Sequence, residues 1–209
     1  MTIEKLARSE KRSDRFILIF DDGTEIRVSA SQIADFGLYS GKELTQEEYS
    51  ELREGLKLSS SRARAVRMLG SRNLSAREIE RRLIGKGESA ETAQCTVEWL
   101  EDIGAINDTE YAAAIVKHYS GKGYGAARIR DELFRRGIPR DLWDDALVSY
   151  DGMEDAAYGF LEKKLRGSCD PDDLRRATDS LCRRGFRYEE AKDAVRRYVA
   201  NREEIGEEE

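Results

Sequence analysis

Three glycines, Gly87, Gly137 and Gly185, stand 50 and 48 residues apart, and each closes a basic amphipathic phrase: "EIERRLIGKGE", "RIRDELFRRGIP" and "ATDSLCRRGFR". Four residues before each glycine is a leucine (Leu83, Leu133, Leu181). Eight before stand Ile79, Ile129 and Ala177, and ten after stand Val97, Leu147 and Val195. The first two positions share one helical face, and the third falls on the following helix. A period of this length with three helices per unit is a tandem repeat, and each unit is too small to bury much core without its neighbours. The residue before each glycine is Lys86, Arg136 or Arg184. A base there opposes the negative end of the helix dipole, and the glycine accepts the left-handed conformation that closes the helix.

Start signals agree with this phasing. Thr45 with Glu48 and Ser75 with Glu78 have the spacing of capping boxes, with Leu44/Tyr49 and Leu74/Ile79 as hydrophobic staples. Asn107 with Glu110 repeats the pattern, and Asp170 caps a helix with Pro171 at its first position. Ahead of the repeats, "RFILIFDDGTEIRVS" (15–29) predicts a β-hairpin turning at Asp21-Asp22-Gly23, which would lean on a helix. The helix that starts at Thr45 is expected to end near Gly55, with "LKLSSSRARA" (56–65) as a polar joint. The expected fold is therefore mainly α: three tandem three-helix repeats in an elongated array, preceded by a small β-hairpin/helix N-terminal segment. Its segments are 1–57 for the N-terminal part, then 58–104, 105–152 and 153–205 for the repeats.

The formal net charge of −6 conceals strong segregation. Residues 62–87 carry eight Arg/Lys against two Glu, and residues 88–111 carry seven acids and no base. Residues 117–140 then carry seven bases against two acids, and 141–155 six acids and no base. A helix dipole needs one base per end, so Arg77, Arg81, Arg82 and Lys86 in the first repeat, and Arg128, Arg130, Arg135 and Arg136 in the second, are the candidate binding residues. Arg128 is expected to pair with Glu132 one turn on. Sequence-specific reading of duplex DNA is disfavoured, because the third helices, where a groove-reading helix would fall, are acidic and would repel phosphate.

Catalytic chemistry finds little support. Cys95, Cys169 and Cys182 lack metal-ligand spacing and read as small packing residues, and the lone His118 has no nucleophile beside it. "GKGYGAAR" (121–128) lacks the ending and preceding strand of a phosphate loop, and its glycines more simply end one helix and start another. No cofactor or metal is expected. The longest apolar runs are too short to span a bilayer and no signal peptide is evident, so a cytoplasmic protein is expected.

Taken together, "RAVRMLGSRNLSAREIERRLIGKG" (64–87), "VEWLEDIGAINDTEYAAAIV" (97–116) and "GKGYGAARIRDELFRRGIPRDLWDDAL" (121–147) resemble the RecX family of bacterial RecA regulators, over roughly residues 15–203. Glu88 departs from the apolar residues at the matching positions, Ile138 and Phe186, and the third repeat matches least well. The resemblance implies a non-enzymatic, monomeric protein that binds the RecA nucleoprotein filament and inhibits its ATPase, strand-exchange and coprotease activities, within DNA repair, homologous recombination and the SOS response. Direct DNA contact is compatible with it. The alternatives are a DNA-binding module acting on single-stranded or structured DNA without RecA, and a helical scaffold for another protein.

Overall fold

Ile3, Leu6 and Ala7, interspersed with charges, form a strand that the sequence hides. In the computed structural model, which describes residues 1–9, 15–150 and 152–207, β1 (Ile3–Arg8) pairs antiparallel with β2 (Arg15–Phe20), which pairs in turn with β3 (Glu25–Ser29). The expected two-stranded hairpin is thus the outer part of a three-stranded sheet in the order β1-β2-β3. A shift in register between Ile3 and Lys5 breaks the period-two pattern by which β1 would have been read. Asp151 of the acidic run lies outside the described residues.

The chain divides into two units, Met1–Arg67 with Leu83–Thr96 and Met68–Arg82 with Val97–Glu209. In the first, the sheet packs Ile3, Leu18, Phe20, Ile26 and Val28 with Leu38, Leu44 and Leu52. Ser29 caps the short α1 (Ala30–Asp35) in a capping box with Gln32. Thr45 and Glu48 start α2 (Gln46–Leu69) as their spacing predicts, with Glu48 accepting from the Thr45 N–H at 2.8 Å and Thr45 Oγ1 accepting from the Glu48 N–H at 3.1 Å.

The helix does not stop at Gly55, and the polar joint expected at 56–65 is helical throughout. Gly55 serves contact instead of termination: a Cβ there would lie 2.8 Å from the ring of Phe36. Ser61 is buried as well, and Thr96 Oγ1 donates to its hydroxyl at 2.9 Å. Small and hydroxylated residues mark where this helix is closely approached, a pattern that read by itself resembles a linker.

The first helix triplet is completed by α3 (Ala76–Ile84) and α4 (Ala90–Asp102). The second is α5 (Asp108–Ser120), α6 (Ala126–Arg135) and α7 (Asp141–Val148). The third is α8 (Met153–Leu165), α9 (Pro171–Arg183) and α10 (Tyr188–Glu207). All three middle helices close in one way. Gly87, Gly137 and Gly185 have φ of +93°, +70° and +93°, and the next residue's N–H donates back to the carbonyl of Leu83, Leu133 or Leu181 at 3.2, 3.0 and 3.2 Å. After the glycine, Ile138 and Phe186 are buried. Glu88, the departure, is held instead by Arg64 at 3.1 Å, and Arg64 also donates to the Lys86 carbonyl.

The second repeat gathers Ile115, Val116, Ile129, Leu133, Ile138 and Leu147 into one cluster, and the third gathers Leu161, Leu165, Ala177, Leu181, Phe186 and Tyr198. In the third repeat the small Ala177 is fully buried in the same cluster as the whole ring of Tyr198, whose hydroxyl accepts from the Gly167 N–H at 2.9 Å. Cys95 and Cys169 are exposed and Cys182 half-buried, so the first two are not the packing residues expected.

Arg166 closes α8 at φ +51°, a left-handed conformation that costs a residue with a Cβ about 1–2 kcal/mol. Arg166→Gly is expected to stabilise the protein by about 0.5–1 kcal/mol after the entropy of glycine is set against that relief. An unchanged or lowered midpoint in chemical denaturation would contradict this.

Candidate functional site

Successive repeats dock through one geometry within the second unit. The start of a middle helix meets the end of the next middle helix. Ser75, which caps α3, donates from Oγ to the Arg136 carbonyl, and Gly125, at the equivalent place before α6, donates from its N–H to the Arg184 carbonyl at 2.9 Å. Ala127 N–H reaches the Gly185 carbonyl at 3.1 Å. The following glycines lie against arginine stems: a Cβ on Gly137 would be 3.1 Å from Arg77 Cβ, and one on Gly185 would be 2.8 Å from Arg128 Cβ.

The arginine before each of these glycines is occupied, Arg136 within its own repeat and Arg184 across the joint. Arg136 donates from Nε to Glu132 at 2.8 Å and from Nη1 to the Tyr111 hydroxyl. Arg184 donates from Nη1 to the carbonyls of Lys122 and Gly123 at 3.0 and 3.3 Å, and stacks over the rings of Phe160 and Tyr124 at 4.3 and 4.9 Å. In the third repeat "RRG" therefore has a second use besides helix closure, since Arg184 joins that repeat to the second, whereas the guanidinium bonds of Arg136 stay within its own repeat.

Electrostatics at this joint follow from burial. Loss of water works against the charged form of Glu132. Hydrogen bonds from Arg136 and Tyr119, with the charges of Arg136 and Arg135, outweigh it and hold the carboxyl below its ordinary 4.5. Arg136 is likewise held more firmly protonated than usual: burial opposes its charge, but the bonds to Tyr111 and Glu132 prevail. Burial raises Asp108, against the hydrogen bond from the Ala76 N–H and with the help of the nearby Glu78 carboxylate. Burial also raises Glu101, reinforced by Asp108, Asp102 and Glu98.

The eight candidate residues consequently separate into two sets. Arg130 is paired with Asp144 at 3.0 Å, and Arg135 and Arg136 both hold Glu132. The expected Arg128–Glu132 pair does not form, because Glu132 faces the C-terminal turn of α6 and is already enclosed by the two later arginines. Arg77, Arg81, Arg82, Lys86 and Arg128 are exposed and have no ion-pair partner among the described residues. Arg77, Arg81 and Arg82 share α3, whose opposite face buries Ile79 and Leu83.

A basic groove was missed. It has a volume of about 580 Å³, is floored by Gly121, Gly123 and Gly159, and is edged by Lys122, Lys163 and Lys164. Asp155, which also lines it, is paired with Arg197 at 3.3 Å. Lys163 and Lys164 are neighbours in sequence, but only packing of α8 beside the loop after α5 brings Lys122 to the same groove. The backbone N–H groups of residues 121–125 are all bonded to carbonyls, so this loop offers no amide cradle for a phosphate. Among the described residues no group of three or more His, Cys, Asp or Glu could hold a metal, and no helix is long and apolar enough to cross a membrane.

A small sheet unit followed by docked three-helix repeats is the build of a tandem-repeat protein. Comparison with known proteins gives this class a family. Residues 107–147 match the family described as "RecX, second three-helix domain". The chain is 35% identical over 136 residues to the regulatory protein RecX of Xanthomonas axonopodis pv. citri, covering 64% of this chain and 84% of the relative. A crystal structure of a regulatory protein RecX superposes with a TM-score of 0.72 at 21% identity, covering 91% of this chain and 97% of that one. The crystal structure of RecX from Lactobacillus salivarius gives 0.64 at 20% identity, covering 70% and 99%. The chain belongs to the RecX family of regulatory proteins.

Proposed function

We propose that this protein is a non-enzymatic, cytoplasmic regulator that binds the RecA–DNA filament as a monomer and inhibits its ATPase, strand-exchange and coprotease activities, acting in recombinational repair and the SOS response. The observation that carries the reading is the unpaired basic set of a RecX-family chain, Arg77, Arg81, Arg82 and Arg128 on repeat helices and Lys86 in the turn after α3, left over after the fold has used Arg130, Arg135, Arg136 and Arg184. Unpaired cations on two successive repeats, four on the first and Arg128 on the second, support contact with a partner at several weak sites that act together. The test is RecA's single-strand-dependent ATPase with this protein titrated in at substoichiometric ratios and two salt concentrations. Loss of activity well below one copy per RecA is expected, and no loss at any ratio would overturn the proposal.

The combined Arg77→Ala, Arg81→Ala, Arg82→Ala variant is expected to keep its fold, because these guanidiniums are exposed. It should need about tenfold more protein for the same inhibition, a difference of ~1.4 kcal/mol. Undiminished inhibition would remove α3 from the contact surface.

The groove edged by Lys122, Lys163 and Lys164 favours a second reading, a module that binds single-stranded or structured DNA without RecA. That reading requires tight, salt-sensitive binding to a bare oligonucleotide together with unchanged RecA ATPase.

A further inference from the structure

The first unit contains an open strand edge beside a basic helix stripe, and neither belongs to the basic set assigned above. The turn between β2 and β3 is closed by Gly23 N–H to the Phe20 carbonyl at 2.9 Å and Phe20 N–H to the Thr24 carbonyl at 3.0 Å. With Leu18 opposite Ile26 and Phe16 opposite Val28, the alternation of an antiparallel ladder turns the backbone groups of Ile26 and Val28 toward β2. Those of Glu25 and Arg27 therefore face outward along β3, the last strand of the sheet. An open edge of this kind is a template for another strand.

A groove of about 480 Å³ runs beside that edge, lined by Glu25, Ile26 and Arg27 and by Arg53, Leu56, Lys57 and Ser60 of α2. Those four α2 residues have the three-and-four spacing of one helix face. Arg27, Arg53 and Lys57 are exposed, with no ion-pair partner among the described residues. Glu88, which also borders the groove, is already neutralised by Arg64 at 3.1 Å. Three unpaired cations thus face one unpaired carboxylate, Glu25.

We propose that this groove takes an extended acidic peptide of a partner protein, added as a fourth strand along β3. Its main chain bonds the outward groups of Glu25 and Arg27, its acidic side chains meet Arg53 and Lys57, and an apolar residue rests on Leu56. The strand edge decides the class of occupant: a peptide main chain satisfies alternating N–H and C=O groups, whereas a nucleic-acid backbone offers acceptors alone. The proposal stands apart from the RecA reading, since it uses none of the residues assigned there and its test contains no RecA.

The test uses the full chain and a fluorescein-labelled peptide of alternating Glu and Val, about eight residues long. Saturable binding that weakens with added salt is expected, together with slowed hydrogen exchange of the Glu25 and Arg27 amides. Arg53→Glu with Lys57→Glu should lower the affinity at least tenfold while leaving the circular dichroism unchanged. The proposal is overturned if the peptide does not bind, if a Lys–Val peptide binds as well, if the double variant binds equally, or if the two amides stay unprotected. Displacement of the peptide by oligothymidylate with the same amides protected would assign the groove to nucleic acid and overturn it too.

Discussion

Gly125→Ala is expected to undock the second repeat from the third, at a cost of about 3 kcal/mol or more. The backbone there has φ of −85°, which any residue adopts, so conformational strain plays no part. The added Cβ would instead sit 2.4 Å from the Gly185 carbonyl carbon and from the Phe186 nitrogen, and backbone atoms cannot swing aside. Relieving the clash means parting the start of α6 from the end of α9, which breaks the Gly125–Arg184 and Ala127–Gly185 hydrogen bonds. Gly185→Ala should cost at least as much, because its Cβ would lie 2.5 Å from the Arg128 nitrogen and φ is +93°. Gly87→Ala is the control: it has the same φ of +93° with nothing within 4 Å, and should lose only the left-handed penalty of about 1–2 kcal/mol. Denaturation followed by circular dichroism separates the cases, with an early transition for the third repeat expected in the Gly125 and Gly185 variants. A Gly125→Ala variant as stable as Gly87→Ala would show that the two backbones do not touch.

Arg136→Ala is expected to cost about 2–3 kcal/mol, because it strips a buried carboxylate and a tyrosine hydroxyl of a shared partner. Glu132 is 8% exposed, and after the substitution only Arg135 at 3.4 Å and the Tyr119 hydroxyl would face it. The pH dependence identifies the cause. Glu132 has a folded-state pKa below its ordinary 4.5, so its contribution is fully present above that value and lost as pH falls through the lowered one. The stability gap between the wild type and Glu132→Gln should therefore be widest near neutrality and narrow below about pH 4.5. Asp108 and Glu101 shift upward and act in the opposite sense, their protonated forms being favoured in the folded chain, so subtracting the Glu132→Gln variant is what isolates the Glu132–Arg136 pair. A gap that stayed constant down to pH 3 would assign the effect of Arg136 to packing of its stem.

The repeat was legible in the sequence because its signals are local. Leu83, Leu133 and Leu181 recur four residues before a glycine, and hydrogen bonds within one turn dictate where such helices stop. Thr45, Ser75, Asn107 and Asp170 mark helix starts for the same reason, each accepting from an N–H two or three residues on. Features set by contact with distant segments were not legible. β1 exists because β2 offers it an edge, and Gly55 and Ser61 look like linker residues until Phe36 and Thr96 are seen against them.

The basic residues divide along the same line. Composition and spacing alone determined that these repeats carry more arginine than their helix ends require, and the family resemblance rests on that local phrasing. Only the tertiary structure decided which arginines are occupied. Arg136 and Arg184 look in sequence like Arg81 or Arg128, yet residues 25 and 62 positions away receive their guanidinium bonds. A charge becomes structural or available according to whether a carbonyl, carboxylate or ring lies within reach, and that proximity is set by how the helices pack, within a repeat for Arg136 and between repeats for Arg184.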